Sequence, residues 1–197
     1  MHKLKLCWLL GLPVCLLAAR VFSAELGLEG ISSVVDDMDL EIACVNADGS
    51  IPLARAVTIA ETRVNGLDDV GGFLGFAIVP SQFLELSVVL MAGGSQSNFV
   101  TFLQSTNPVV RAMGVVCLSL TDTNALAAYL PNLRKDTTKL QVWTGCCMPV
   151  RKTMAELVDA LLRNRNYLGH QDDYWEFQQF RKRVATGNVP VRVLKVK

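Results

Sequence analysis

Three residues near the C-terminus, His170, Asp172 and Asp173, have the types and the spacing that could support chemistry. An imidazole close to two carboxylates can hold a metal ion or act as a general base. The other histidine, His2, lies in a stretch that we expect to be removed, so a Ser-His-Asp hydrolase would have to use His170. No nucleophile-elbow motif supports such a hydrolase. The competing interpretation is an ordinary polar surface loop.

Cysteines are the second group of candidates, and those outside the expected leader are Cys44, Cys117, Cys146 and Cys147. No pair of them has zinc-ligand or Cys-x-x-Cys spacing. Cys117 and Cys147 fall at equivalent positions of successive predicted helices, which pack about 8–10 Å apart, whereas a disulfide needs Cα atoms within roughly 7 Å. A vicinal bridge between Cys146 and Cys147 would break a helix. Cys117 and Cys147 are therefore expected to be small core residues. If a disulfide forms, Cys44 with one of the other cysteines is the most plausible pairing.

Residues 164–197 form a basic and aromatic tail. Residues 163–197 have eight basic and three acidic residues, whereas residues 25–162 have eight basic and fifteen acidic ones. A helix is predicted to begin with a capping box at Asp173 and Glu176 and to end in cations, which the helix dipole favours there. The candidate partner-binding residues are Trp175, Phe177, Arg181, Lys182 and Arg183. The alternative is a C-terminal cap whose aromatic side chains pack on the preceding helices.

The last nine residues, 189–197, are predicted to form a strand because β-branched residues recur along them. No other stretch of the chain is predicted to pair with this strand. It would then be disordered, lie on the rest of the molecule, or add to a sheet of another chain.

The elements that would position these residues are predicted to be helices. Asn107 and Pro108 begin one apolar helix, and Thr153 with Glu156 forms a capping box before another. First helices of successive pairs begin near residues 51, 81, 107 and 137, and second helices near 68, 97, 123 and 153. A period of about 30 residues in helical pairs is typical of a solenoid. The glycine-dense run 71–76 lacks a P-loop lysine and is interpreted as close helix packing.

Within this pattern, Asn107-Pro108-Val109-Val110-Arg111, the apolar helix after it and residues 124–130 resemble a repeat of the HEAT-like (armadillo-type) family, best over residues 107–133. The resemblance implies an all-α fold, an α–α superhelix of about four helical hairpins over residues 50–163 with capping helices at both ends. It also implies a binding role, and it carries over no catalytic residue because such repeats share shape rather than chemistry. Pro131 is expected to kink or shorten its helix.

The N-terminal residues 1–23 are predicted to be a cleavable signal peptide. Lys3 and Lys5 form a basic start, and the apolar run over residues 6–19 is shorter than the ~20 residues that span a bilayer. An uncleaved membrane anchor is the alternative. Residues 25–49 are predicted to be a helix that caps the first repeat.

These features predict an exported, non-catalytic protein-binding or scaffold protein, periplasmic or secreted, with no cofactor. Its partner is expected to be another protein, and nucleic acid is not expected because the array is acidic. One alternative is a small metal-binding protein or enzyme that uses His170, Asp172 and Asp173. The other is a peripheral protein whose basic tail binds an anionic membrane surface.

Overall fold

The computed structural model describes residue 46 and residues 49–75, 79–145 and 148–194. The predicted signal peptide, nearly all of the predicted capping helix 25–49, and Cys44, Cys146 and Cys147 lie outside the described residues.

Helices and short strands alternate along the described chain. The helices are α1 Leu53–Arg63, α2 Gln82–Gly93, α3 Gln96–Leu103, α4 Pro108–Thr121, α5 Thr123–Ala127, α6 Leu130–Leu133, α7 Met154–Arg163 and α8 Trp175–Ala185, with 3-10 turns at Val64–Gly66 and Val191–Leu194. The strands are β1 Ser50–Pro52, β2 Val70–Gly71, β3 Phe73–Leu74, β4 Val79–Pro80, β5 Lys139–Trp143, β6 Val150–Thr153 and β7 Asn188–Pro190. The all-α prediction is therefore wrong, because the described chain is a mixed α/β structure.

Two apolar helices form the centre of the core. The Ser81 hydroxyl accepts a hydrogen bond from the Leu84 backbone N–H and starts α2, in which seven of twelve residues are buried. The Asn107 side chain accepts from the Val109 N–H and starts α4, in which ten of fourteen residues are buried. Helices that are apolar nearly all round belong in a protein interior. The helices predicted after Ser81 and Asn107 are thus confirmed.

Helix α7 shows the predicted capping box. The Thr153 hydroxyl accepts from the Glu156 N–H at 3.2 Å, and the Glu156 carboxylate accepts from the Thr153 N–H at 2.7 Å. Its apolar face, including Leu157 and Leu161, is buried. Helix α8 begins differently, because no side chain caps it and Asp173 and Glu176 form no capping box.

The predicted solenoid fails where strands replace two of its helices. Along β5, Leu140 and Val142 are buried and the side chains between them are exposed, which is the period of a strand. Strand β5 pairs antiparallel with β6 and parallel with β2, so three segments assigned to repeats form one sheet. Leu140, Trp143 and Cys147 fit a helical spacing of three and four in the sequence, and long-range pairing of the strand decided between the two periods.

The segment that resembles a HEAT-like repeat keeps its first helix, α4, but its second helix is broken. It forms α5 and α6, separated near Pro131, as the position of that proline predicts. Arg111 binds the carboxylate of Asp136 at 3.0 Å and the Thr138 hydroxyl at 3.2 Å. This arginine therefore fixes the start of strand β5 against the core.

The C-terminal segment pairs within the chain. Strand β7 runs antiparallel to β1, with Val189 opposite Ile51. Val189, Val193 and Leu194 are buried. The partner that the sequence did not show is thus the stretch before α1, which had been assigned to a helix beginning at Ser50. The tail up to residue 194 is part of the folded domain.

No helix in the part of the chain that the structure describes is long and apolar enough to cross a bilayer.

Candidate ligand groove around His170

A groove of about 540 Å³ lies between helices α2 and α8. We call it the His170 groove. Its apolar lining comes from Val88, Met91, Ala92, Leu120, Val184 and Ala185, and its polar lining from His170, Gln171, Gln178, Arg181 and Lys182. Helix α8 supplies both cations, Arg181 and Lys182, from the C-terminal half of the helix. Apolar walls with a few convergent polar groups are typical of binding sites.

The loop before α8 brings His170 to the groove because two glycines allow close contacts. A Cβ atom at Gly72 would overlap the carbonyl oxygen of Leu168. Gly169 has a φ of +82°, and a Cβ there would meet the ring of Phe73. Glycine adopts positive φ without the steric penalty of other residues. The chain therefore turns tightly at residues 168–169 and points His170 toward α2.

Side-chain amides and a carboxylate fix the rest of this loop. The Asn166 side chain accepts from the Gln171 N–H at 2.6 Å, and the Asp172 side chain accepts from the Tyr174 N–H at 2.7 Å. The Gln178 side chain donates to the carbonyl of Asp172. Such local bonds are typical of Asx turns.

His170 is only 4 % exposed and binds a serine in the middle of α2. Its Nε2 lies 2.7 Å from the Ser87 hydroxyl oxygen. The Ser87 hydroxyl in turn donates to the carbonyl of Leu84 at 2.7 Å. Since a hydroxyl has one proton, Nε2 carries the ring proton and donates to Ser87. The other ring nitrogen, Nδ1, is buried and has no hydrogen-bond partner among the described residues.

Burial keeps this imidazole neutral. Desolvation, together with the smaller effect of the positive charge of Arg181, lowers the pKa of His170 from 6.5 to about 4. Both causes disfavour the imidazolium, because a charged ring would lose its hydration and repel the guanidinium. At neutral pH His170 is therefore an uncharged imidazole with a buried acceptor nitrogen, and the groove that this residue lines also contains two cations.

The Ser87–His170 pair resembles half of a hydrolase triad but lacks the features of a nucleophile. Ser87 is completely buried in a helix and its proton is used by Leu84. No carboxylate orients Nδ1 among the described residues. An activated serine needs an accessible oxygen and an oriented base. The pair is a structural contact that holds the loop on α2.

The three candidate metal ligands do not converge. His170 is bound to Ser87, the Asp172 carboxylate accepts from Tyr174, and Asp173 is exposed. In the described ranges no group of three His, Cys, Asp or Glu residues could hold a metal ion.

The candidate partner-binding residues separate into two sets. Trp175 is 70 % exposed, Lys182 and Arg183 are exposed, and Arg181 and Lys182 line the groove. Phe177 is fully buried, with its ring centroid 5.2 Å from that of Phe73, so it belongs to the core and is not a surface contact. The helical period turns Lys182 well away from Phe177, whereas Arg181, four residues after Phe177, lies close to the same face of α8 and is half-buried.

Cys117, one of the four disulfide candidates, is a free thiol buried in α4. Burial raises the pKa of this thiol, which keeps it protonated and unreactive.

A second pocket, of about 210 Å³, contains a carboxyl group with a shifted pKa. Val79, Pro80, Glu85, Tyr174, Glu176, Phe180 and Arg192 line it, and we call it the Glu85 pocket. Desolvation raises the pKa of Glu85 from 4.5 to about 7, and the nearby charge of Arg192 partly opposes this rise.

The sequence alone did not identify the residues that complete the two sites. Ser87 is a hydroxyl within the apolar run of α2, a pattern that often indicates a satisfied polar contact. Its partner is 83 positions away, and no local pattern identifies it. Comparison with models of known protein families and with curated proteins finds nothing that matches this chain.

Proposed function

We propose that this protein is a non-catalytic binding protein that holds an acidic, partly apolar segment of another protein in the His170 groove. The lining of the groove supports the proposal. Apolar side chains of α2 and α8 adjoin the cations Arg181 and Lys182. A surface of this composition favours a ligand that has both apolar groups and negative charge.

Arg181 is available for such a ligand. The structure gives it no carboxylate partner among the described residues, whereas Arg111 and Arg134 are paired with Asp136 and Asp159. Arg181 is half-buried, so water screens its charge less than that of a fully exposed cation. A carboxylate placed beside it would also face the exposed Lys182.

The chemistry of the groove favours binding over catalysis. Its one serine–histidine pair is buried and neutral at pH 7, and its lining contains no carboxylate in the described part of the chain. General acid–base catalysis needs a group that exchanges protons near the working pH. If residues 1–23 act as the predicted signal peptide, the partner lies in the periplasm or outside the cell.

The test is a random peptide display selection against the full chain, followed by affinity measurements on the enriched peptides. We expect acidic sequences with apolar residues, whose affinity falls at least about tenfold in the Arg181→Glu, Lys182→Glu double variant. Salt should weaken the binding because both cations are near the surface. Lys135→Glu is the matched control, since Lys135 is exposed and lies outside the groove.

Two results would overturn the proposal. One is a set of enriched peptides that bind the double variant as well as the original chain. The other is binding to phosphatidylglycerol vesicles that salt weakens, together with no peptide enrichment. This result would identify the exposed cations and Trp175 as a membrane contact.

A further inference from the structure

We infer that the His170 groove recognises the carboxyl terminus of its partner, with an apolar side chain on the last residue. The inference rests on the binding function proposed above and names the ligand group that the site takes. Three features of the groove carry it: an unpaired acceptor at His170, a cation at Arg181 and an apolar wall.

The acceptor is the first feature. Because the Ser87 proton goes to Leu84, Nε2 of His170 is the donor of its pair and Nδ1 has a lone pair. Nδ1 is buried and unsatisfied among the described residues, and His170 lines the groove. Buried polar atoms in folded proteins nearly always have a partner. A ligand N–H at this point would supply the missing donor.

The cation is the second feature, and its closeness to the acceptor selects the ligand. Arg181 and His170 line the same groove, and the positive charge of Arg181 lowers the pKa of His170. The ligand must therefore place an anion and a hydrogen-bond donor next to each other. In the last residue of a peptide, the carboxylate and the backbone N–H are attached to the same carbon. In an internal Asp or Glu, one or two methylene groups separate them.

The apolar wall is the third feature. Val88 and Met91 from α2 and Val184 from α8 lie beside the polar groups. The side chain of a terminal residue leaves the same carbon as the carboxylate and the N–H, so it can reach this wall. Capture of a terminal carboxylate is a known mode of peptide binding, in which backbone N–H groups often hold the carboxylate, and in this groove Arg181 would supply the positive charge.

The experiment uses four small probes that separate the three contacts. N-acetyl-leucine has all three groups, its amide lacks the charge, 4-methylpentanoate lacks the N–H, and N-acetylglycine lacks the side chain. Titrations of the full chain are followed by NMR of the ¹⁵N-labelled His170 ring. We expect N-acetyl-leucine to bind at least about fivefold more tightly than each of the other three, since one hydrogen bond or buried side chain supplies that factor.

Two substitutions of His170 separate recognition from folding. His170→Asn keeps an acceptor oxygen near the position of Nδ1 and loses the reach to Ser87. His170→Gln reaches toward Ser87 and leaves no acceptor at Nδ1. We expect His170→Asn to retain the preference for N-acetyl-leucine over 4-methylpentanoate and His170→Gln to lose it. Circular dichroism confirms that each variant is folded.

The outcomes separate this inference from the proposed function. If 4-methylpentanoate or the amide binds as tightly as N-acetyl-leucine, or if His170→Gln keeps the preference, terminal recognition is wrong. If display peptides bind the groove equally well with free and amidated ends, terminal recognition is again wrong while the binding function holds. If no probe perturbs the His170 ring and no peptide is sensitive to Arg181→Glu, both fail.

Discussion

Helix α2 borders two sites that contain a titratable group, the His170 groove and the Glu85 pocket. The same physical cause shifts the pKa values of His170 and Glu85 in opposite directions. Glu85 is a residue of α2, and Ser87, two positions later, binds His170. Burial disfavours the charged form in both sites, so the pKa of His170 falls to about 4 and that of Glu85 rises to about 7. The sites therefore differ at neutral pH. His170 is a neutral acceptor, whereas Glu85 is close to half ionised.

The neighbouring arginines sharpen this comparison. Arg181 repels the imidazolium and adds to the effect of burial at His170. Arg192 attracts the Glu85 carboxylate and opposes the effect of burial there. One site thus has two causes that act together, and the other has two causes that compete. Burial of a titratable group alone does not determine whether it exchanges protons near pH 7.

The largest expected effect comes from adding a side-chain atom at Gly72, whose close contact with the Leu168 carbonyl positions His170. In Gly72→Ala, the added methyl group would overlap the Leu168 carbonyl, which is backbone and cannot rotate away. We expect a loss of about 3 kcal/mol in the free energy of unfolding, as for overpacked sites. Urea denaturation measures it, and NMR should show the His170 ring signals moved while the Glu85 pKa changes little.

Gly66→Ala is the matched control for that substitution. Gly66 has open space at the position of a Cβ atom, so its replacement should change stability by less than about 1 kcal/mol. Equal losses in the two variants would show that the Gly72 contact does not hold the loop.

The second effect concerns the Ser87–His170 bond. Ser87→Ala leaves the ring N–H at Nε2 without an acceptor in a buried site, which should cost about 1–3 kcal/mol. Ser119→Ala is the control, because Ser119 is also buried and donates to the carbonyl three residues earlier, in this case Val116, but binds no ring. The difference between the two variants in thermal or urea unfolding isolates the imidazole contact. Equal losses would contradict it.

These contacts mark the limit of what the sequence alone predicts. The starts of α2, α4 and α7 were predictable because capping and helical periodicity are local. Strand β5 was not, because Leu140, Trp143 and Cys147 satisfy a helical spacing locally, and the segment is a strand only through pairing with β2 and β6. The β1–β7 pair joins residues near 50 and 190, so neither strand could be assigned without the other.

The candidate site was predictable only in part. His170, Arg181 and Lys182 were selected from their residue types, and they line one groove. Phe177 is a candidate partner-binding residue in the sequence, with packing on the preceding helices as the alternative, and its contact with Phe73 places it in the core. Ser87 interrupts an apolar run and so indicates a polar contact, but neither Ser87 nor Gly72 indicates which distant residue it contacts. Their contacts could not be predicted because the contacting residues are far apart in the sequence.

The third effect is a pH dependence of stability in which the two sites oppose each other. His170 binds its proton less tightly in the folded chain, so its contribution to stability is complete above about pH 6.5 and is lost as the pH falls toward 4. Glu85 binds its proton more tightly, so its contribution is complete below about pH 4.5 and is lost as the pH rises toward 7. Between about pH 4.5 and 6.5 the two contributions change the stability in opposite directions with pH, so they partly cancel.

Glu85→Gln removes the contribution of Glu85 to the pH dependence of stability and should reveal the contribution of His170. In this variant, stability should rise between pH 4 and 6.5 more steeply than in the original chain, by roughly 1–2 kcal/mol over that window after allowance for the partial exposure of Glu85. Glu176→Gln is the matched control, because Glu176 lines the same pocket and is exposed. Urea unfolding at four pH values measures both. An unchanged pH profile in Glu85→Gln would show that Glu85 titrates normally.

The smallest expected effect is the change in the pKa of His170 or Glu85 when the neighbouring arginine is replaced. The direction of that change separates the effect of charge from the effect of burial. Arg181→Gln removes a repulsion from the imidazolium, so the pKa of His170 should rise toward its ordinary value. Arg192→Gln removes an attraction for the carboxylate, so the pKa of Glu85 should also rise, away from its ordinary value. NMR titration of the two side chains would record each change as a fraction of a pH unit. Two rises in pKa, one toward and one away from normal, would mean that burial sets the main shift at both sites and that the arginines only adjust it. A fall at either site would mean that the arginine acts through packing rather than through its charge.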